Sequence, residues 1–236
     1  KLCLGSAQIG LDYGISNKTG KINQNDLKEI FDYMKLNNIN LIDTAKNYGN
    51  AEKIIGDNIL LTSYFDIVTK IDVKKFQNIS IKKFDDLEYL ILDSLSKLKR
   101  KEIFGVLIHN PKILNIYSAK KIIDWLYHFK KNGIIKKIGI SIYEREDLNN
   151  FDLDKLDIVQ LPLSIYDQRL INDGTLELLI SKKINIHARS IFLQGLIIED
   201  SSNWPPFISQ AFKNHHKRFF DFLSQNLITP IEATFI

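Results

Sequence analysis

The 236 residues are 44% hydrophobic and 25% charged, and 32 basic against 28 acidic side chains leave a formal charge of +4. A chain of this length can bury a sizeable core without staples. Its one cysteine, Cys3, excludes an internal disulfide framework and a Cys-based zinc site and reads as a small apolar strand residue in a reducing compartment. Lysines are spread along the chain among acidic residues instead of forming a basic tract, so no nucleic-acid partner is expected. No apolar run approaches the roughly 20 residues that span a bilayer, and the opening Lys1-Leu2-Cys3-Leu4-Gly5 has no leader pattern. A cytoplasmic protein with no membrane partner is expected; the sequence does not fix an oligomeric state.

In chain order, residues 2–4 form the first candidate strand, 26–38 an amphipathic helix and 39–43 a second strand. A helix over 51–60 leads to a strand over 65–70, and a helix over 81–98 to a strand over 103–109. Within that second helix Leu87, Leu90, Ile91, Ser94, Leu95 and Leu98 recur at spacings of three and four. Next come a helix over 116–132, a strand over 135–141, a weaker helix over 144–151 and a strand over 158–161. The last pair is a helix over 175–183 and a strand over 184–190, followed by a helix over 208–225. Ile228-Thr229-Pro230-Ile231-Glu232 reads as a helix start with Pro in its first turn.

Seven alternations of strand and helix imply parallel strands with right-handed crossovers, in an open sheet or a closed (β/α)8 TIM barrel. Asp43, Lys70, His109, Ser141, Gln160 and Arg189 or Ser190 each close a mostly apolar strand. Barrels build their sites from strand C-terminal ends, so this distribution favours the barrel. No Pro-, Gly- or Ser-rich linker divides the chain, and a single domain over residues 1–236 is expected. The eighth strand of a barrel is not among these residues, and the domain is expected to be C-terminally incomplete.

The informative stretch runs from Leu41 through Asp43-Thr44-Ala45-Lys46-Asn47-Tyr48-Gly49 to Glu52, from a strand end into a helix. Val68-Thr69-Lys70 and Leu107-Ile108-His109-Asn110-Pro111 close the next two strands, so barrel geometry would bring Asp43, Tyr48, Lys70 and His109 to one mouth. Together with Leu4-Gly5-Ser6-Ala7, Gly139-Ile140-Ser141, Val159-Gln160 and Ala188-Arg189-Ser190, in this order, the chain resembles the aldo-keto reductase family over essentially its whole length. The run Ala188 to Leu196 is most similar to bacterial members, some associated with surface-polysaccharide biosynthesis.

The resemblance implies a TIM-barrel oxidoreductase that reduces an aldehyde or ketone on a small molecule, sugar-derived compounds among the candidates, with NADPH or else NADH. It implies a catalytic tetrad of Asp43, Tyr48, Lys70 and His109. It also implies cofactor contacts from Gly5, Ser6, Asp43, Ser141, Gln160, Arg189, Ser190, Phe192 and Gln194, and no metal. Hydride delivery to a carbonyl carbon leaves charge on oxygen, which requires a proton donor there. Tyr48 can serve, with Lys70 expected to lower its pKa and Asp43 holding Lys70; His109, as neutral imidazole, would orient the oxygen. Arg189 stands where an aromatic residue often stacks on the nicotinamide in relatives, and Ile142 where many have Asn. The usual 2′-phosphate site would fall beyond Ile236, so NADPH over NADH rests on the family alone.

Rival readings are a nicotinamide-cofactor-binding barrel acting as a sensor or regulatory partner with weak or no turnover, and a barrel lyase or isomerase with Lys70 as a Schiff base. Tyr117-Ser118-Ala119-Lys120-Lys121 has the Tyr-x-x-x-Lys spacing of another reductase fold but lacks its glycine-rich turn. Gly14 to Ile22 lacks the spacing of a phosphate loop. His128, His187, His215 and His216 gain no role from their context, whereas Tyr13, Tyr143, Tyr166, Phe192 and Trp204 are candidates for a pocket wall.

Overall fold

The structure, a computed structural model, describes residues 1–76 and 84–235. Its strands are β1 (Leu4–Gly5), β2 (Leu41–Asp43), β3 (Asp66–Ile71), β4 (Ile103–Ile108), β5 (Ile135–Ser141), β6 (Ile158–Pro162) and β7 (Asn185–Arg189). Its helices are α1 (Ala7–Gly10), α2 (Gln24–Leu36), α3 (Ala51–Asp57), α4 (Ile59–Thr62), α5 (Phe84–Leu98), α6 (Ile116–Lys131), α7 (Arg169–Asn172), α8 (Thr175–Ser181), α9 (Gln210–Gln225) and α10 (Pro230–Ala233). The seven strands pair in parallel in the order β1-β2-β3-β4-β5-β6-β7.

Side chains on a strand alternate between two faces, and that alternation separates two apolar layers here. Ile42, Ile67, Ile71, Val106, Ile108, Ile138, Ile140, Val159 and Leu161 face outward and are buried beneath the helices. The opposite face carries Val68, Leu107 and Ile158, fully buried against Leu41 and Phe104. Two residues further along that inner face the row turns polar, at Asp43, Lys70, Ser141 and Gln160.

The sheet is strongly curled. Strands β2 and β6 would stand about 19 Å apart in a flat sheet, yet Gln160 Nε2 donates to Asp43 Oδ1 at 2.8 Å across the interior. At the mouth, Ser16 N and Ser16 Oγ both donate to the Gln194 carbonyl at 3.3 Å, so the loops after β1 and β7 touch. Seven strands in this curl reproduce the expected (β/α)8 wall. Gly139 lets β5 and β6 approach: a Cβ there would lie 1.9 Å from the Ile158 carbonyl oxygen. Gly139→Ala is therefore expected to lower unfolding free energy by about 3 kcal/mol, at the upper end for overpacking, measured by urea denaturation.

The helices form where the apolar spacing predicts and stop where local chemistry dictates. Asn23 caps α2 by accepting from Asn25 N and Asp26 N, and Leu27, Phe31 and Met34 bury its inner face. The expected helix over 51–60 is broken at Asn58, whose backbone and side-chain N–H groups both return to the Ile54 carbonyl and end α3. The weaker helix over 144–151 is a single 3-10 turn, Arg145–Leu148, because the Asp147 carboxylate takes the Tyr143 and Glu144 N–H groups and closes a capping box. Thr229 and Glu232 form another capping box at α10, with Pro230 in the first turn. The expected start of α5 at Ile81 lies outside the described residues. Ser190 leaves β7 because its backbone turns left-handed, with φ of 60°. Among the described residues no helix is long and apolar enough to cross a membrane.

Candidate active site

Asp43 and Lys70 sit at the ends of neighbouring strands and His109 follows β4 directly. Tyr48 reaches them from the β2 to α3 loop. That loop is held by close backbone packing: a Cβ on Gly10 would lie 1.8 Å from the Tyr48 carbonyl oxygen, and one on Gly49 2.5 Å from the Gly10 carbonyl oxygen. Gly49 also turns left-handed, with φ of 56°, which suits a residue lacking Cβ. Behind the loop the buried Glu52 accepts from Thr69 Oγ1 at 2.6 Å and ties α3 to β3 one residue before Lys70.

Lys70 is 1% exposed and its ammonium finds three oxygens. Nζ donates to Asp43 Oδ2 at 2.6 Å, to the Thr44 carbonyl at 3.0 Å and to Tyr48 OH at 3.4 Å. An ammonium has three donors, so its hydrogen bonding is complete. The second Asp43 oxygen takes Gln160 Nε2, and Gln160 Oε1 in turn accepts from Ser141 Oγ at 3.3 Å. The rings of Tyr48 and His109 meet edge-to-face with centroids 6.0 Å apart. The structure thus brings Asp43, Tyr48, Lys70 and His109 together with Ser141 and Gln160.

The electrostatics differ in one respect from the sequence expectation. Lys70 was expected to lower the Tyr48 pKa, but burial and then the Asp43 carboxylate push it well above its usual value, with Arg189 opposing. Burial of much of the phenol is the larger cause, and the Lys70 ammonium, 3.4 Å from the phenol oxygen, is already bonded to Asp43 at 2.6 Å. Burial, and secondarily the Lys70 charge, lower the His109 pKa, which favours neutral imidazole at pH 7. His109 Nδ1 is buried without a hydrogen-bond partner among the described residues.

A sequence model of the Aldo/keto reductase family matches residues 1–229. The chain belongs to the aldo-keto reductase family. Its members are NAD(P)H-dependent carbonyl-reducing enzymes. Among solved structures, the glycerol dehydrogenase of Gluconobacter oxydans is 21% identical with a TM-score of 0.71, over 98% of this chain and 76% of that one. An aldo/keto reductase of Klebsiella pneumoniae in complex with NADP and acetate is 16% identical with a TM-score of 0.67, over 96% and 72%. Another from Klebsiella pneumoniae, in complex with NADPH, is 15% identical with a TM-score of 0.58, over 83% and 69%. At these identities the likeness is one of fold. No curated protein matches the sequence.

For an aldo-keto reductase the interior must admit a nicotinamide, and the residues here fit one. Gly5 stands in register with Asp43, and a Cβ on it would meet nothing within 4 Å, leaving open space beside the carboxylate. Ser6 is fully buried, yet its hydroxyl has no hydrogen-bond partner among the described residues. Ser141 and Gln160 pair with each other and retain acceptor lone pairs for a carboxamide.

The remaining expected contacts divide. Arg189 and Ser190 lie at the mouth. The Phe192 ring packs edge-to-face on Phe235 with centroids 5.8 Å apart, and Gln194 joins the mouth through its backbone carbonyl to Ser16. Trp204 is buried and donates Nε1–H to the Leu196 carbonyl, and Tyr166 OH lies 2.8 Å from His216 Nδ1, so these two serve packing instead of a pocket wall.

Sequence reasoning passed over His187. It pairs in register with the inward-facing Gln160, so it faces the interior, and burial lowers its pKa while the Asp43 charge opposes. Within the strand, alternation counted back two residues from the strand-end Arg189 is the sequence signal that points to it. Lys121 Nζ lies 4.9 Å above the Tyr117 ring on α6, a helix-face contact. Among the described residues no three His, Cys, Asp or Glu side chains converge to hold a metal.

Proposed function

We propose that this chain reduces an aldehyde or ketone to the alcohol with NADPH as hydride donor and Tyr48 as general acid. One observation carries the reading: the buried Lys70 Nζ bridges Asp43 and Tyr48 OH at 2.6 and 3.4 Å at a mouth that His109 completes. A bound reduced nicotinamide supplies the hydride. The Tyr48 hydroxyl donates a hydrogen bond to the substrate carbonyl oxygen and gives up its proton as charge develops there. Lys70, already bonded to that hydroxyl, stabilises the phenolate left behind, and Asp43 fixes the ammonium. His109, held neutral, supplies a second donor that orients the carbonyl. Each oriented donor of this kind contributes about 3–4 kcal/mol to transition-state stabilisation.

Ser6, Ser141 and Gln160 hold and orient the nicotinamide carboxamide, and the Klebsiella pneumoniae complexes with NADP and NADPH support a phosphorylated dinucleotide. The similarity of the Ala188 to Leu196 run to members linked with surface polysaccharides places sugar-derived carbonyl compounds first among substrates to try. The test is a parallel fluorescence titration with NADPH and NADH, followed by NADPH oxidation against a panel of carbonyl compounds. Saturable binding that prefers NADPH, with alcohol formed in step with oxidation, is expected. Binding without oxidation across the panel would replace this reading with that of a sensor.

The pH dependence follows from the two shifts. Reduction needs protonated Tyr48 and neutral His109; the raised Tyr48 pKa moves the alkaline limb up and the lowered His109 pKa moves the acid limb down. The rate of reduction should therefore be level between about pH 6.5 and about pH 10, the ordinary values of the two groups. An alkaline limb near neutrality in a kcat profile would exclude Tyr48, in this environment, as the titrating acid.

A further inference from the structure

The segment that follows β7 is anchored to α9 through a single histidine. His216, on the inner face of α9, is fully buried. Its Nε2 lies 2.9 Å from the Glu199 carbonyl oxygen and its Nδ1 2.8 Å from Tyr166 OH. A carbonyl only accepts, so Nε2 carries the hydrogen, and Nδ1 of the neutral ring accepts from the phenol. Trp204 stacks on the imidazole with centroids 4.4 Å apart and 33° between planes, and the Phe220 ring lies at 4.4 Å. Trp204 donates to the Leu196 carbonyl at 3.1 Å, and its own carbonyl accepts from Lys213 Nζ at 3.0 Å. Three stretches of chain thus converge on one ring: the loop after β6 through Tyr166, the segment after β7 through Glu199 and Trp204, and α9 itself.

The segment after β7 needs such an anchor. Ser190, Leu193 and Gln194 all have left-handed backbones, with φ of 60°, 45° and 57°. Residues with a Cβ keep that conformation where surrounding contacts over-determine the chain. The Gln194 carbonyl is also the group that Ser16 meets across the mouth, so the shape of this segment decides whether the loops after β1 and β7 touch.

The charge on His216 decides whether the anchor fits. An imidazolium would set a hydrogen on Nδ1 against the phenol hydrogen, force Tyr166 to turn its hydroxyl away, and place a charge where no surface meets water. The Trp204 and Phe220 faces would attract the cation, yet among the described residues no carboxylate bonds to the ring. From the segment after β7, Asp200 caps the Ser202 N–H at 2.7 Å and the Glu199 carboxylate accepts from Asn203 at 3.4 Å. In the loop after β6, Asp167 beside Tyr166 is held by Arg169. On α9, His215 adjoins the Tyr166 ring, Lys213 is bonded to Trp204, and the Lys217 charge acts on Asp200. Burial outweighs the Glu199 carbonyl and the Asp200 charge and lowers the His216 pKa.

From this geometry we infer that His216 is a positioning residue that holds the segment after β7 at the mouth only while its ring is neutral, so that acid releases the segment and weakens binding there. A histidine that titrates lower in the folded chain than its ordinary 6.5 contributes fully above that value and loses its contribution as pH falls, so release belongs below pH 6.5. The cofactor arm of the test rests on the reductase reading above; the other two arms do not.

Trp125→Phe leaves Trp204 as the sole tryptophan, and an imidazolium quenches an indole stacked on it. Trp204 emission in that background, amide hydrogen exchange over residues 193–204, and calorimetric titration with NADP are followed as pH is lowered from above 6.5. Emission should fall in one step, exchange should accelerate in the same step, and NADP affinity should drop by up to about tenfold per pH unit, the limit for one linked proton. His216→Gln should show neither the exchange step nor the associated loss of affinity; the cofactor phosphate titrates equally in both chains and cancels. Tyr166→Phe removes the hydrogen given to the neutral ring and should move the emission step to higher pH. The assignment is overturned by no emission step before the helical circular dichroism is lost, by emission that falls without faster exchange, or by faster exchange with level NADP affinity. A midpoint unmoved in Tyr166→Phe also overturns it, and that variant decides the matter if His216→Gln does not fold. NADP that binds at no pH, with the emission and exchange steps intact, leaves His216 assigned and removes the reductase reading.

Discussion

Replacing Tyr48 with Phe is expected to lower kcat for carbonyl reduction by about 10²- to 10⁴-fold, the usual contribution of a positioned general acid. The substitution removes one oxygen. The ring that meets His109 edge-to-face and lies under Lys70, whose Nζ is 4.9 Å from its centroid, stays in place. Lys70 keeps Asp43 and the Thr44 carbonyl, so its charge remains bonded. NADPH affinity should accordingly stay within a few-fold of wild type, and kcat and kcat/KM should fall together, as they do when an interaction is made only in the transition state. Single-turnover NADPH oxidation and fluorescence titration give the two numbers independently. Turnover that survives the substitution would remove Tyr48 as the proton donor.

Lys70→Met should have the largest effect on stability, about 3–5 kcal/mol by urea denaturation, because it leaves a carboxylate unpaired in a buried site. Lys70 is 1% exposed and Asp43 14%, and among the described residues the one other side chain that donates to Asp43 is Gln160. The double variant Asp43→Asn with Lys70→Met should recover a good part of the loss, since a neutral amide next to an apolar chain costs far less than an isolated charge. Full additivity in this cycle would show that the two residues act independently. Activity should be lost in both variants, because the phenolate left on Tyr48 would have no ammonium beside it.

The fold was legible because two periodicities that survive in a linear sequence govern it. Alternation by two along each strand separates Ile42 from Asp43, and Val68 and Lys70 from Thr69, while spacings of three and four mark the buried stripes of α2 and α5. Boundaries were less legible. The break at Asn58 and the short turn at Arg145–Leu148 depend on which side chain captures which backbone group, a competition settled by a few hydrogen bonds.

The sequence by itself determined the alternating architecture and the identity of the polar row at the strand ends: Asp43, Lys70, His109, Ser141 and Gln160 could be named from position alone. Only the tertiary structure decided what those residues do to one another. Asp43 and Gln160 are 117 positions apart and meet because the sheet curls. The Tyr48 pKa rises because the fold buries much of the phenol and sets the Asp43 carboxylate near it, neither of which is written in the spacing along the chain. His187 joined the interior through a strand register, and Arg189 came to lie over the Tyr143 ring and to donate to the Ile142 carbonyl, since contact is a property of distances between strands and not of spacing along the chain.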